Sequence, residues 1–283
     1  MNLENIFSEI EKADPEVYDR LDTRRNAMKM FAKKSGKIAL ASIPFALGSM
    51  FQKAYSSPQA PTDLIFDTLN FALTLEYLEA NFYIKAVASG IVPSGNALNA
   101  LTVIRDHENA HVNFLKTAIS AAGGTPVSFT ADKFDFTAKG TFPGVFSDYG
   151  TLLAVAQTFE DTGVRAYKGQ APNLMSNNDY LTAALQIHSV EARHAAHLRE
   201  MRKAANLLVP AGVDVKPWIT LNQSGIGSSA VQASYAGEEN VKQATIPITD
   251  IGGKDISAEA ASEAFDEPLS KEQVTAIVTP FFA

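Results

Sequence analysis

The sequence predicts an all-α protein: a four-helix bundle with one long crossover connection, followed by an irregular C-terminal extension. Three observations carry this reading. Four long segments repeat apolar residues at helical spacing and are bounded by Pro and Gly. Two of the three joins between them are short, whereas the middle one is long. Beyond Pro210 the composition shifts to Gly, Ser, Thr, Val and Ile, and the helical period is lost.

Residues 1–56 stand apart from the rest of the chain. "TRRNAMKMF" and "AKKSGK" precede the apolar run "IALASIPFALGSMF" at residues 38–51. A basic stretch, a short apolar run and small residues at Ala54 and Ser56 make the layout of an export signal. Arg24-Arg25 resembles the twin-arginine type, although Ala27 stands where an aromatic is usual. The apolar run is too short for a membrane span, which needs roughly 17–25 residues. The expectation is therefore an exported, periplasmic or similarly located protein, with no stable span in its mature form. The absence of Cys removes a lipid anchor.

Residues 57–208 read as the bundle. The first helix is expected from about Thr62 to Ala88, after Pro61 and before Gly90, and the second from Ser94 to Ala122, ending at Gly123-Gly124. The third should run from Ser147 to Lys168, stopped by Gly169 and Pro172, and the fourth from Ser176 to Leu208, stopped by Pro210. Short loops such as "SGIVP" force antiparallel neighbours. Residues 209–283 form the extension, with one short helix in "LSKEQVTAIV", where Ser270 and Gln273 are spaced for a capping box. This region serves either as a scaffold on the bundle or as a contact in a homo-oligomer. Trp218 reads as packing within it.

Composition narrows the chemistry. With 46% hydrophobic and 19% charged residues the chain can bury a core. The absence of Cys excludes disulfides, thiolate metal sites and cysteine nucleophiles, so a metal here must be held by carboxylate and imidazole. Residues 1–56 hold nine of the 24 Lys/Arg and seven of the 31 Asp/Glu, which leaves residues 57–283 at −9. An acidic domain does not bind nucleic acid through phosphates.

The chemistry-bearing pattern is a repeat. Glu76 on the first helix is followed by Tyr83, and Glu160 on the third by Tyr167, each seven residues on. Glu108-x-x-His111 lies on the second helix and Glu191-x-x-His194 on the fourth. Residues three apart share a helix face, so each Glu-x-x-His pair can aim at one ion. Folding the first two helices about Val92 puts Glu76 and Glu108 level, both about 24 Å from the turn at ~1.5 Å per residue. Glu160 and Glu191 fall level about Met175–Ser176 in the same way, so all six side chains are expected at one height. Glu79 competes with Glu76, but its counterpart in the second repeat is Gly163. His107, His188 and His197 have no such counterparts and read as surface or supporting residues. Asp106 and Asp161 adjoin the candidate ligands but face elsewhere, which suits salt bridges.

At these residues the chain resembles the ferritin-like superfamily, in which two helices each give a Glu and the other two each give a Glu-x-x-His. Its long central crossover has the same connectivity. "NFALTLEYLEANFY", "IRDHENAHVNFL" and "FEDTGVRAY" look more narrowly like bacterial desiccation-related proteins. The resemblance implies two Fe or two Mn ions bridged by Glu108 and Glu191, with Glu76, Glu160, His111 and His194 as terminal ligands. Tyr83 and Tyr167 would orient carboxylates. In manganese catalases the Glu of the second Glu-x-x-His acts as a base beside the metals, an alternative for Glu191. The implied activity is oxidase-like or catalase-like redox chemistry on dioxygen or peroxide. The alternatives are a metal-binding stress protein without turnover and a structural bundle that keeps remnants of ligands. A storage cage fits poorly with so long a tail.

Overall fold

The computed structural model describes residues 63–210, 215–253 and 255–283. The expected export signal and the start of the first helix at Thr62 lie outside the described residues. Four long helices dominate: α1 (Asp63–Ala88), α2 (Asn96–Ala121), α3 (Tyr149–Gln170) and α4 (Asn178–Ala204). α1 packs chiefly on α2, and α3 chiefly on α4, giving two hairpins joined by the long crossover. Among the described residues, no helix is long and apolar enough to cross a membrane.

Local chemistry sets the helix ends. Asp148 caps α3 by accepting from the Thr151 N–H at 2.7 Å, and Asn177 caps α4 by accepting from Asp179 and Tyr180. α2 stops at Gly123, whose φ of 83° suits a residue without Cβ, and Gly124 N–H returns to Ile119 O at 2.9 Å. Two expected boundaries need correction. α4 ends at Ala204 and not at Leu208, because Asn206 turns left-handed (φ 54°) and Leu207 N–H closes on Arg202 O at 2.9 Å. Asn fills the role of the C-terminal glycine here, a weaker signal than Pro210. Gly169 does not stop α3, which runs on to Gln170. A Cβ at Gly169 would stand 1.9 Å from Leu269 O, so this glycine serves a close backbone crossing.

That crossing belongs to the extension, which is bound to the α3–α4 hairpin by buried polar groups. Arg165 of α3 pairs with Glu238 at 2.7 Å and donates to the carbonyls of Ser234, Ala236 and Glu267. Arg202 of α4 donates to Gly225 O at 2.6 Å and to Gln157 Oε1 at 2.7 Å. Asp161 accepts from Arg199 at 2.5 Å and from the Tyr235 hydroxyl at 2.7 Å. Buried charges are tolerated only when so paired and hydrogen-bonded. The extension also has an apolar cluster of Ile219, Val231 and Tyr235, on which Phe142 of the crossover packs.

Elsewhere the extension holds a short hairpin, β1 (Lys242–Gln243) with β2 (Ile246–Pro247), and two short helices, α5 (Ala258–Ser262) and α6 (Lys271–Val278). The capping box of Ser270 and Gln273 is formed at the start of α6. The C-terminus pairs with the crossover through Asp135 N–H to Phe281 O at 2.8 Å and Ala283 N–H to Lys133 O at 2.9 Å. Trp218 is 50% exposed and is not buried in this packing, contrary to the sequence reading.

Candidate metal centre

Glu76, Glu108, Glu160 and Glu191, one from each long helix, are all fully buried in the middle of the bundle. With His111 and His194 they form two interlocking groups. Glu76, Glu108, His111 and Glu191 make one; Glu108, Glu160, Glu191 and His194 make the other. In each group one ligand atom per residue lies within 4.8 Å of the others. Glu108 and Glu191 belong to both groups, and Glu76 and Glu160 to one each. All six sequence candidates therefore meet at one level.

The histidine contacts show what the cluster suits. His111 Nδ1 lies 3.2 Å from oxygens of Glu76, Glu108 and Glu191 at once. His194 Nδ1 lies 3.0 Å from Glu108 and 3.1 Å from Glu160. A ring nitrogen carries at most one hydrogen and cannot donate to several carboxylates. Both oxygens of Glu191, and Oε1 of Glu108, are buried without a hydrogen-bond partner. Such orphaned acceptors are costly inside a protein. Divalent cations between the imidazole and carboxylate atoms would satisfy them, and the donor set suits iron or manganese.

The tyrosines cross between the repeats. Tyr83 donates to Glu160 Oε1 at 2.5 Å, and Tyr167 donates to Glu76 Oε1. The sequence placed each tyrosine on the face of the glutamate before it. In the structure each serves the glutamate of the other repeat, because α1 and α3 run antiparallel through the cluster. Both bonds fix a carboxylate while leaving its second oxygen toward the histidines.

The family comparison agrees with this geometry: the ferritin-like domain family matches residues 65–204. Residues 65–204 are a ferritin-like domain. No curated protein and no solved structure matches the chain, and the finer likeness to desiccation-related proteins is not part of the family match.

The electrostatics of the ferritin-like domain follow from burial. Burial raises the Glu76 carboxyl to about 7, partly opposed by His111. Burial and the charge of Glu108 hold Glu191 well above the usual carboxylate range. Glu108 goes the other way, to about 2: burial pushes it up, but the neighbouring His111 and His194 imidazoles outweigh that. Burial opposes charge on His194, yet Glu160 and Glu108 lift it to about 10. Burial opposes charge on His111 as well, but Glu76 and its other carboxylate neighbours raise it above its ordinary range. With protons as the only counter-charge, the cluster holds them on both imidazoles and on part of its carboxylates.

Three further residues lie beside the cluster. Glu79 is buried but belongs to neither ligand group, which favours Glu76 in its place. A Cβ on Gly163 would stand 3.2 Å from Glu79 Oε1 and 3.3 Å from Glu191 Oε2, so Gly163 makes room for a fifth carboxylate. The signal was a glycine inside a helix, which costs roughly 0.5–1 kcal/mol against Ala and needs a reason. His107, read from sequence as a surface or supporting residue, takes the supporting place: its Nδ1 lies 2.9 Å from His194 Nε2, with the rings nearly parallel (16°). When His194 Nδ1 faces a cation, its Nε2 carries the hydrogen and donates it to His107.

The remaining polar candidates are structural. His188 bonds Val164 O at 2.9 Å, and His197 is exposed. Asp106 pairs with its neighbour Arg105, and Asp161 with Arg199.

Proposed function

We propose that the ferritin-like domain holds a dinuclear iron or manganese centre and uses it for redox chemistry on dioxygen or peroxide. One observation carries this reading: two four-residue ligand groups share Glu108 and Glu191 and leave buried carboxylate oxygens without hydrogen-bond donors. Glu76 and His111 would complete one metal position, and Glu160 and His194 the other. A bound pair of such ions supplies a redox couple that no side chain of this chain offers. The protein's own part is to hold the ligands. Tyr83 and Tyr167 fix two carboxylates, His107 orients His194, and the surrounding bundle keeps water away. The basic and apolar pattern of residues 23–51 further supports export of the chain.

Reconstitution with ferrous or manganous ion followed by elemental analysis tests the centre. The expected result is two ions per chain, one for each ligand group. Less than one ion per chain, or full loading in a Glu108→Gln/Glu191→Gln double variant, refutes it. Peroxide disproportionation and ferrous oxidation assays on the loaded protein then distinguish an enzyme from a metal binder.

A further inference from the structure

The two ends of the cluster are filled differently. On the side toward the α1 C-terminus the core is closed by aromatic rings. Phe82 meets Phe136, Phe146 and Phe159 at centroid distances of 5.2–5.6 Å. On the opposite side, alanines stand among the rings of Phe71, Phe114, Tyr167 and Tyr180. Ala72, Ala166 and Ala184 from three helices face Leu75 and Leu115, leaving a gap lined by all four long helices. Tyr167 forms its inner wall, with its hydroxyl bonded to the Glu76 carboxylate. The outer lining includes Phe71 and Phe114, both half-buried, so the gap reaches the surface.

We propose that this gap is the binding and entry site for dioxygen, which deepens the proposed function by selecting dioxygen over peroxide as the substrate. Size and polarity decide the occupant. The cavity has about 20 Å³ of free volume, far below the ~150 Å³ that admits benzene in an engineered protein cavity. It therefore suits a molecule of one or two heavy atoms. Its wall is almost wholly carbon, and the Thr68 hydroxyl at its edge is already donated to Leu64 O at 2.8 Å. Water or hydrogen peroxide entering here must shed hydrogen bonds without replacement, at roughly 1–3 kcal/mol or more per group. Dioxygen has none to lose. An apolar diatomic in this gap stands against Leu75 and against Tyr167, whose hydroxyl is bonded to the Glu76 carboxylate.

The test uses xenon as an apolar probe of similar size. Crystals of the intact protein under xenon pressure, metal-free and metal-loaded, are expected to show xenon between Leu75, Leu115 and Ala184. In a second arm, Ala72→Leu and Ala184→Phe fill the gap. Each should retain full metal loading while lowering the dioxygen rate relative to the peroxide rate of the ferrous protein by about tenfold. Ala72 is only partly buried, so its variant keeps the test valid should Ala184→Phe not fold. Xenon found only elsewhere, or an unchanged ratio of the two rates in the filled variants, overturns the proposal even when metal binds. Failure of the unmodified chain to bind metal overturns the centre itself, and the proposal with it.

Discussion

The buried cluster makes stability depend on pH in opposite directions with and without metal. In the metal-free protein the Glu76 carboxyl sits at about 7 against an ordinary 4.5. The folded state thus binds more protons than the unfolded state between those values. Its stabilising contribution is complete below pH 4.5 and is lost as pH rises through 7. At ~1.36 kcal/mol per pH unit, Glu76 alone accounts for a loss of roughly 2–3 kcal/mol between about pH 5 and 7.5. Glu79 and Glu191, also raised, act in the same direction. His194, raised from 6.5 to about 10, extends the loss from neutral pH upward. Glu108, lowered to about 2, contributes stability above pH 4.5 that is lost only toward pH 2, below the window tested.

Cations reverse this slope, because they bind deprotonated carboxylates and compete with protons. Chemical denaturation of chelator-treated protein at pH 5 and 7.5, repeated after loading, measures both slopes. Metal-free stability that is flat or rises toward pH 7.5 refutes the argument that the four carboxylates share one buried site.

Tyr167→Phe removes the hydrogen bond to Glu76; metal affinity should fall about 10–100-fold by titration, with metal-free stability lowered by roughly 1–3 kcal/mol. Gly169→Ala places a methyl group against Leu269 O, so the extension should lift from α3. Faster proteolysis after residue 210 and a lower Tm would show this, whereas an unchanged Tm would contradict it. Glu238→Ala strands the buried Arg165 and should cost about 3–5 kcal/mol in urea unfolding. His107→Ala should weaken metal binding about tenfold, while His197→Ala, on the exposed face, should leave it unchanged.

The fold and the six-residue cluster were legible because both follow from period and register. A face that returns every three to four residues, and glutamates equidistant from a turn, fix which side chains meet. The crossed tyrosine bonds were not legible, since they depend on α1 and α3 running antiparallel across the bundle. Gly169 looked like a local break and Gly163 only like the counterpart of Glu79, but each is explained by a distant atom, Leu269 O and Glu79 Oε1. The specific partner of His107 was not legible, because it is 87 positions away. The extension was the least readable part. It has little periodicity of its own and is held by carbonyls that accept from Arg165 and Arg202, contacts that any sequence at those positions would supply.

Those arginines determine how the molecule can be divided. A fragment ending where the family match ends, at residue 204, would keep Arg165 and Arg202 yet lose Glu238 and the carbonyls of Gly225, Ser234, Ala236 and Glu267. Two guanidinium groups that now sit in a dry interior would be left facing a missing wall. The smallest piece worth expressing is therefore longer than the recognisable domain. The tail carries no candidate ligand of its own, yet it walls in the arginines of the two helices that bear Glu160 and Glu191.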